Sequence, residues 1–397
     1  MQGVLRTSGC LFLIMAATIG EDLRGQDRND DAPPHTRRQE LDDKYTIGPT
    51  AARELGYRII WQANLGDDAR RFDVVEGDVY VITPGNRIAR IDRKKGDVVW
   101  NAIAADPNDK IWGITQGMPG PGELSWGRNA NDKLYVTTDP LVFVIDHASG
   151  SIIGRQPLDK VPSSEVVRSG PYLIYGTRTG QVIWHQYLVG HAWRANQLRG
   201  PVTHPPTLVG TNRVVCGSEG GTLLMLDGKT VGRIWGDQIL GSVSASIAAG
   251  NGMVFCASDD QYLRAYDASN GRLEWKHLAT SPLDQSPFFF DGGEGSPRVL
   301  QWSETEGLLC LEARSKTAIQ GTLVWTLPDA RGDILGVIDG EVVIWDNDGK
   351  MLRMIDVDQG RITKTVALPE IIDIKLVDDS IYASGTDGRL TRLDPVR

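Results

Sequence analysis

Residues 263–275 read LRAYDASNGRLEW, and residues 88–100 read IARIDRKKGDVVW. In both stretches a strand-like run ends in an aspartate, which is followed by a glycine after four residues and a tryptophan after eight. The aspartate can bond the backbone of its own turn, and the glycine supplies the positive φ that closes the turn. The tryptophan ends the next strand, where its ring can pack between neighbouring sheets and its N–H can find a partner.

Eight such units follow one another along the chain, each a β-hairpin with a turn rich in Gly, Asp or Asn. The hairpins end at Asp92, Asp146, Gln186, Asp227, Asp267, Glu312, Asp356 and Asp394, at intervals of 38 to 54 residues. A period near 40–45 residues is that of a four-stranded propeller blade, and the runs lack the 3.6-residue spacing of helices. The sequence therefore predicts an all-β fold, an eight-bladed β-propeller of four-stranded antiparallel blades.

The motif is complete in some blades and partial in others. We predict that its residues dock each blade on the next: Asp92, Gly96, Trp100, Asp146, Gly150, Asp227, Trp235, Asp267, Gly271, Trp275, Trp325, Asp356, Gly360, Asp394 and Trp61. Gly154 and Lys364 stand where two tryptophans are expected, and blade three has Gln186 and Arg194 in place of Asp and Trp.

The last repeat stops three residues after Asp394 and therefore lacks its fourth strand. Residues 55–65, LGYRIIWQANL, hold Gly56 and Trp61 at nearly the spacing of the motif, with no hairpin before them. An open ring would leave an unpaired strand edge. We therefore predict that residues 57–65 complete the eighth blade beside residues 381–394 and close the ring.

The first 50 residues have a different composition. After Arg6, residues 10–17 (CLFLIMAA) form an apolar run that ends in small residues up to Gly20, a pattern typical of a secretory signal peptide. The run is too short to span a bilayer; an uncleaved anchor is the alternative. Residues 21–50 are charged and nearly free of apolar residues, which predicts a disordered polar tether. Residues 51–397 are then a propeller in the periplasm or cell envelope.

Composition and motifs assign no catalytic, cofactor-binding or metal-binding residue. The 397 residues include 42 Lys+Arg and 51 Asp+Glu, a net charge of −9 that argues against nucleic-acid binding. The cysteines after the signal lack C-x-x-C spacing and are predicted to be buried apolar residues: Cys216, Cys256 and Cys310. His185, His191 and His204 match no metal motif, and HExxH and G-x-S-x-G are absent.

The pattern Asp-x-x-x-Gly-x-x-x-Trp after a β-hairpin resembles the repeat of the pyrroloquinoline-quinone-like (PQQ-like) β-propeller family, with residues 88–100 and 263–275 as the nearest copies. The resemblance covers about residues 55–397. Together with the export signal, tether and terminal strand, it is similar to the family's outer-membrane protein assembly factors. It implies a monomeric, non-catalytic envelope scaffold without a transmembrane span, whose partners are envelope proteins such as the barrel-assembly machinery.

Two other functions stay open, because one propeller fold hosts many functions. Quinone-dependent dehydrogenases of this family would hold the quinone with Ca²⁺. Resemblance to them implies a longer chain and a vicinal cysteine pair, and this sequence has neither. A sensor that keeps the quinone pocket without turnover belongs to the same alternative. The third function is binding of envelope polysaccharide through exposed tryptophans.

The interval between the first two hairpins is the longest and contains an insertion at residues 104–122. An exported loop with Trp and Met on a rigid scaffold suits partner binding, so we predict partner contacts at Trp112, Met118 and the nearby Trp126. The alternative is that Trp112 folds back onto its own blade. A second irregularity follows Glu312, where residues 314–320 are predicted to bulge outward.

Overall fold

The computed structural model describes residues 34–66, 68–117, 132–292, 296–315 and 319–397. Within them, thirty-two strands form eight four-stranded sheets, and every strand pairing is antiparallel. Each sheet is one blade, and the innermost strands of most neighbouring blades contact one another around the ring. The prediction of an eight-bladed β-propeller is therefore confirmed.

In blades 1 to 7 the four strands follow one another in the chain from the centre of the ring outward, and in blade 8 the first three strands do. Blade 1 contains β2 Arg71–Val75, β3 Asp78–Thr83, β4 Arg87–Asp92 and β5 Val98–Ile103; blade 2, β6 Ile111–Gln116, β7 Lys133–Thr138, β8 Leu141–Asp146 and β9 Ile152–Pro157; blade 3, β10 Val167–Ser169, β11 Tyr172–Gly176, β12 Gln181–Gln186 and β13 His191–Gln197; and blade 4, β14 Thr207–Val209, β15 Arg213–Gly217, β16 Thr222–Asp227 and β17 Arg233–Gln238.

The second half of the ring repeats this order. Blade 5 contains β18 Ala248–Gly250, β19 Met253–Ala257, β20 Tyr262–Asp267 and β21 Leu273–Leu278; blade 6, β22 Phe288–Phe290, β23 Arg298–Ser303, β24 Gly307–Glu312 and β25 Leu323–Leu327; blade 7, β26 Asp333–Ile338, β27 Glu341–Asp346, β28 Met351–Asp356 and β29 Arg361–Ala367; and blade 8, β30 Ile371–Val377, β31 Ser380–Gly385, β32 Arg389–Pro395 and, as outermost strand, β1 Tyr57–Asn64.

The N-terminal strand closes the ring as predicted. Strand β1 pairs with β32 from Tyr57 opposite Pro395 to Asn64 opposite Arg389. Trp61 packs with Phe72 and Tyr382 in a buried cluster that joins blades 8 and 1. The two ends of the chain thus share one sheet, in which β1 covers the edge that β32 would otherwise leave unpaired.

Within residues 34–56, two helices precede this strand, α1 (Pro34–Asp42) and α2 (Pro49–Leu55). The chain divides into the units Met1–Glu40 and Leu41–Arg397, and only residues 34–40 of the first, the start of α1, are described. In the second unit, Ile47 and Leu55 are buried among the core residues of the last two blades. Residues 41–50 are therefore folded onto the propeller, where the sequence predicted a tether. The expected signal peptide and residues 21–33 lie outside the described residues.

Burial follows the position of a strand within its blade. The middle strands are buried on both faces, as in β3 (DVYVIT), because each blade is sandwiched between two others. In the outermost strands exposed residues alternate with less exposed ones, as in β29. The eight apolar hairpins of the sequence are these middle strands.

A β-bulge recurs where the outermost strand of each blade pairs with its neighbour. In blade 1, Arg90 lies opposite Trp100 but Ile91 lies opposite Val98, so that Val99 has no partner. The other seven blades show the same register shift. A bulge breaks the in–out alternation of a strand. For that reason Val98 and Val99 are both exposed, and Trp100 after them is buried.

Antiparallel order sends successive loops to opposite faces of the ring. One face, called the motif face below, carries the Asp-x-x-x-Gly turns and the loops between the first and second strands of each blade. The opposite face, called the crossover face, carries the turns between the second and third strands and the segments that lead to the next blade. Binding elements on the two faces are therefore built from different parts of the repeat.

Candidate functional site

Most of the predicted site residues form contacts between blades, and the aspartates shape the turns on which these contacts are made. Asp92 Oδ1 accepts the backbone N–H groups of Lys94 and Lys95 at 2.9 and 2.8 Å. Asp227 accepts those of Lys229 and Thr230 at 3.0 and 2.7 Å. These bonds favour the ionised carboxylate, so the backbone N–H of Lys95 holds the pKa of Asp92 below its ordinary value. Each aspartate thus organises a turn within its own blade.

The glycine of the turn lies directly beneath a tryptophan from the preceding blade. Gly96 and Gly271 have φ values of +77° and +75°. A Cβ built on either residue would lie 2.6 Å from the ring of Trp61 or Trp235, respectively. The position therefore requires glycine twice, for its backbone conformation and for the close approach of the ring. Trp100 covers Gly150 and Trp325 covers Gly360 in the same way.

The tryptophan N–H completes the contact. At each regular junction it donates to the backbone carbonyl of the residue that follows the acidic turn residue of the next blade. The pairs are Trp61 to Arg93 (3.0 Å), Trp100 to His147 (2.9 Å), Trp235 to Ala268 (3.1 Å), Trp275 to Ala313 (3.0 Å) and Trp325 to Val357 (2.7 Å). Five of the eight junctions are therefore fastened by the tryptophan that the motif provides.

Two further junctions use residues that the sequence analysis did not identify. Between blades 2 and 3, where Gly154 replaces Trp, Gln156 Nε2 donates to the carbonyl of Tyr187 at 2.7 Å. Between blades 3 and 4, Trp184 Nε1 donates to the carbonyl of Gly228 at 3.2 Å. Trp184 lies on β12 rather than on an outermost strand, opposite Arg194. The sequence did contain an indication of this contact. Blade 3 lacks the motif aspartate and tryptophan but carries Trp184 on its third strand.

The junction between blades 7 and 8 is the exception, because Lys364 occupies the tryptophan position. Its Nζ pairs with Glu341 at 2.9 Å and lies 3.6 Å from where a Cβ on Gly56 would be. Gly56, with φ +83°, therefore stands in the glycine position of blade 8. The acid of this motif is Asp394, which accepts a hydrogen bond from Ser380 Oγ at 2.8 Å. The motif is thus divided between the two ends of the chain.

The irregularity after Glu312 displaces the glycine of blade 6 rather than removing it. Trp275 covers Gly321, which lies nine residues after Glu312. In the regular motif the glycine lies four residues after the acidic residue. The backbone of Lys276 forms hydrogen bonds with Ile319 and Gly321, which fixes the end of the insertion against blade 5. Residues 316–318 of the predicted bulge lie outside the described residues, and Ile319 is exposed.

Trp112, the first predicted partner contact, lies on an innermost strand and not on a loop. The insertion at residues 104–122 contains β6, and Trp112 is the bulged residue between Ile111 and Gly113. Its Nε1 donates to Asp139 Oδ1 of the same blade at 2.7 Å, and Lys110 Nζ lies 3.5 Å from the ring centroid. The ring is half-buried at the crossover face. Met118 and Trp126 lie outside the described residues.

Charged groups of blade 2 contact this tryptophan, and an ion pair between blade 1 and the segment before blade 3 lies one residue from its backbone partner. The carbonyl of Trp112 accepts the backbone N–H of Val166 at 3.4 Å, and the adjacent Glu165 pairs with Arg71 of blade 1 at 3.2 Å. Glu165 and Lys110 are exposed. We call Arg71, Lys110, Trp112, Asp139 and Glu165 the channel-mouth surface. It combines an aromatic ring, both signs of charge and a rigid support from three blades, which are features of protein-binding sites.

The histidines are placed separately from this surface. His185 is fully buried, with Nε2 2.9 Å from Gln156 Oε1 at the junction of blades 2 and 3. Burial lowers the pKa of His185 to about 4.

Among the described residues no three His, Cys, Asp or Glu side chains form a group suited to a metal ion. None of the helices in the described ranges is long and apolar enough to cross a membrane.

The cysteines do not supply the vicinal pair that the alternative, resemblance to the quinone-dependent dehydrogenases, implies. Cys216, Cys256 and Cys310 are unpaired and buried on the second or third strands of blades 4, 5 and 6. Burial raises the pKa of Cys256 and of Cys310 to about 12, so both thiols stay protonated. They are core residues of three different blades and cannot form a vicinal pair over a quinone.

The fold and the docking contacts define the class: an eight-bladed propeller of PQQ-like repeats. The family model that matches residues 173–288 is described as "Outer membrane protein assembly factor BamB". The chain is therefore similar to PQQ-like, BamB-like propellers, and the resemblance found in the sequence is confirmed.

Two of the many solved structures that match are similar over 85% of this chain. BamB from Moraxella catarrhalis has a TM-score of 0.64 and 16% identity, with 97% of its chain covered. The computationally designed Ika8 protein has a TM-score of 0.62 and 14% identity, with 99% of its chain covered. No curated protein matches the sequence. A natural and a designed propeller fit about equally well, so these similarities establish the fold alone.

Proposed function

We propose that this protein is a non-catalytic envelope scaffold that binds another protein through the channel-mouth surface. The observation that carries the proposal is the position of Trp112, a half-buried indole between Lys110 and Asp139 and beside the Arg71–Glu165 pair. The docking tryptophans direct their indole N–H to the next blade, whereas the indole N–H of Trp112 donates to Asp139 of its own blade. Aromatic residues in a rigid, charged setting commonly dominate binding energy.

The sequence and the family match support the proposed location and class of partner. The apolar run at residues 10–17 supports export, and the match at residues 173–288 supports a role in outer-membrane protein assembly. The partner would then be an envelope protein, with the barrel-assembly machinery as first candidate. The protein would act by display, since a ring closed through both chain ends holds the loops of three blades in fixed positions.

The test is affinity capture from crosslinked envelope with the full-length exported protein as bait. The expected result is enrichment of a barrel-assembly component, reduced at least tenfold by Trp112→Ala, since a central aromatic anchor contributes about 2 kcal/mol or more. Glu165→Arg changes the charge at an exposed position and should weaken capture without affecting folding. Trp193→Ala is the matched control, because Trp193 is a bulged, partly exposed residue on the outer strand of blade 3.

Two results would contradict the proposal. One is equal capture by wild type and Trp112→Ala protein, which would place binding elsewhere. The other is loss of capture in the Trp193→Ala control, which fits recognition of polysaccharide or protein by the outer rim. A titration with pyrroloquinoline quinone and Ca²⁺ separates the dehydrogenase or sensor alternative, and we expect it to be flat.

A further inference from the structure

The segment before the closing strand forms an open groove of about 440 Å³ on the side of blade 8. We call it the helix–strand groove. Its accessible walls come from the end of α1, from α2, from β1 and from the end of the last strand's sheet, and include Leu41, Tyr45, Arg53, Arg58, Ile59 and Val396. All six residues belong to the second unit of the chain. The volume lies within the range of about 300–1,000 Å³ that is usual for ligand pockets.

The apolar side chains of this groove remain in contact with solvent. Leu41 is 46% exposed and Val396 is 64% exposed, while Tyr45 and Ile59 are half-buried. Exposed apolar side chains that lie together around a groove mark an interaction site more often than apolar residues scattered singly over a surface. A ligand can therefore reach these walls without any movement of the protein.

Hydrogen bonds hold the groove in shape on both sides. Asp42 Oδ1 accepts the backbone N–H of Thr50 at 2.9 Å, which joins the end of α1 to the start of α2. The backbone N–H of Val396 donates to the carbonyl of Gly56 at 2.9 Å. Ile47, which lies between the two helices, is buried in the core of blades 7 and 8. A ligand would therefore meet a preformed surface and lose less free energy in ordering it.

Both charged side chains of the groove are cationic. Arg53 and Arg58 are exposed, and no Asp or Glu lines the groove. Within the described part of the chain, neither of these guanidinium groups forms an ion pair. The protein as a whole has a net charge of −9, so two unpaired arginines beside one apolar groove form a local positive site. A guanidinium group matches the geometry of a carboxylate, which makes a carboxylate the expected ligand group.

The acidic residues on the other side of Arg58 are already paired. Arg58 also borders a neighbouring pocket that contains three aspartates. Each of them forms an ion pair with a different arginine: Asp378 with Arg93, Asp379 with Arg397 and Asp394 with Arg392. Arg58 is therefore available to a carboxylate from outside the chain.

We propose that the helix–strand groove binds an acidic peptide segment of another protein, with one large apolar side chain of the segment packed against Leu41 and Val396. Carboxylates of the segment pair with Arg53 and Arg58, as acidic motifs do with arginine clusters elsewhere. An open groove favours a peptide over an acyl chain, because a peptide can bury one apolar side chain and keep its polar backbone in water. The inference does not rest on the channel-mouth surface.

The test titrates the full-length protein with the peptide acetyl-EEFLEE-amide, which carries a fluorinated phenylalanine for detection by ¹⁹F NMR. Saturable binding below millimolar concentration is the expected result. Two unlabelled peptides then compete with it: acetyl-QQFLQQ-amide keeps the apolar residues without the charges, and acetyl-EEGSEE-amide keeps the charges without the apolar residues. Each should bind at least about tenfold more weakly than unlabelled acetyl-EEFLEE-amide, since the groove offers both an apolar wall and two cations.

Paired variants locate the binding. Arg53→Gln combined with Arg58→Gln should weaken binding about three- to thirtyfold, because two exposed ion pairs are lost. The matched control is Arg178→Gln combined with Arg361→Gln, which removes the same charge from exposed arginines of blades 3 and 7 and should leave the affinity unchanged. Leu41→Asp places a carboxylate at an exposed position of the groove and should abolish binding.

The proposal is overturned if acetyl-EEFLEE-amide does not bind up to millimolar concentration, or if binding survives Leu41→Asp. Equal weakening by the two arginine pairs would also overturn it, because net charge and not the groove would then decide binding. Displacement of the peptide by decanoate at equal concentration would assign the groove to an acyl chain instead. Should Leu41→Asp fail to fold, the arginine pairs decide the question.

Trp112→Ala separates this inference from the proposed function. The variant changes the channel-mouth surface and leaves the helix–strand groove intact, so the affinity for acetyl-EEFLEE-amide should equal that of the wild type. Loss of peptide binding in Trp112→Ala protein would place the peptide at the channel mouth and overturn the assignment to the groove.

Discussion

The junction between blades 5 and 6 and the junction between blades 7 and 8 use the same positions of the repeat in opposite ways. At the first, Trp275 is 1% exposed, covers Gly321 and donates to the carbonyl of Ala313 at 3.0 Å. At the second, Lys364 is 34% exposed, pairs with Glu341 and borders a cavity of about 290 Å³.

The difference shows that the ring does not depend equally on every junction. Blade 8 is held in place by its N-terminal strand, which pairs with β32 and docks Trp61 on blade 1. Its contact with blade 7 can therefore be weaker without opening the ring. The junction of blades 2 and 3 is a second weak point, because a glutamine and a buried histidine replace the tryptophan contact.

The largest effect is expected from deleting residues 57–65. The deletion removes the outermost strand of blade 8 and with it Trp61, Tyr57 and Ala63, all buried. Removal of one buried Trp side chain costs about 3–5 kcal/mol, so we expect loss of cooperative unfolding near the wild-type temperature. Deletion of residues 21–33 is the control and should leave the melting curve unchanged. Calorimetry that shows full-length behaviour after the first deletion would contradict the closure role of β1.

The second largest effect is expected from substitutions at the tryptophan position of the two junctions. Trp275→Ala should lower the free energy of unfolding by about 3–5 kcal/mol, because it empties a fully buried site and removes an indole hydrogen bond. Lys364→Ala at the equivalent position should cost less than about 1 kcal/mol, because it removes only a partly exposed ion pair. Urea denaturation measures both. Equal values would show that the junctions are energetically alike despite their different chemistry.

A smaller, pH-dependent effect is expected at the junction of blades 2 and 3. Burial lowers the pKa of His185 to about 4 in the folded protein, while an unfolded histidine titrates near 6.5. Between these values only the unfolded chain takes up the proton, so the free energy of unfolding falls as the pH falls from about 6.5 towards 4. By pH 5 the loss from this residue is about 2 kcal/mol.

His185→Gln is the variant that isolates this contribution. Carboxylates elsewhere also titrate in acid, so the measured quantity is the difference between the two proteins in unfolding free energy at pH 7 and at pH 5. The wild type should lose more stability than the variant over this interval. Parallel pH profiles would mean that His185 does not titrate differently in the folded and unfolded states.

The smallest effect concerns the turn of blade 4. Val231 has φ +61° at the position where other blades carry the motif glycine. No motif tryptophan covers it, since blade 3 has Arg194 there. Val231→Gly relieves a left-handed backbone penalty of about 1–2 kcal/mol. It should therefore lower the free energy of unfolding less than Val215→Gly does, by about that amount. Val215 is a buried strand residue of the same blade. If the two substitutions destabilise equally, Val231 is not strained.

The sequence was sufficient for the blades, the turns and the closing strand. A hairpin and an Asp-x-x-x-Gly turn depend on contacts between residues that are near in the chain, so their pattern can be read directly. The closing strand followed from counting, because the last repeat lacked a strand and residues 57–65 had no hairpin. The boundary of the propeller was less predictable, since Ile47 is buried by residues of blades 7 and 8 that are distant in sequence.

The choice between tryptophans depended on tertiary structure. Blade 3 offers Trp184 and Trp193, and sequence position favours the second, which lies next to the motif position. The bulge in β13 instead leaves Trp193 partly exposed, and Trp184 docks on blade 4. Which residue of a strand is bulged depends on pairing with a neighbouring strand, and which carbonyl lies opposite an indole depends on the adjacent blade.

What the sequence by itself determined was therefore the local chemistry repeated in each blade: the hairpins, the acidic turns, the glycines and the number of blades. Only the tertiary structure decided the contents of each junction, the place of Trp112 on an innermost strand beside Glu165 and Arg71, and the cavity beside Lys364. The physical reason is that turns are stabilised by neighbours in the chain, whereas junctions, surfaces and cavities arise where separate blades meet.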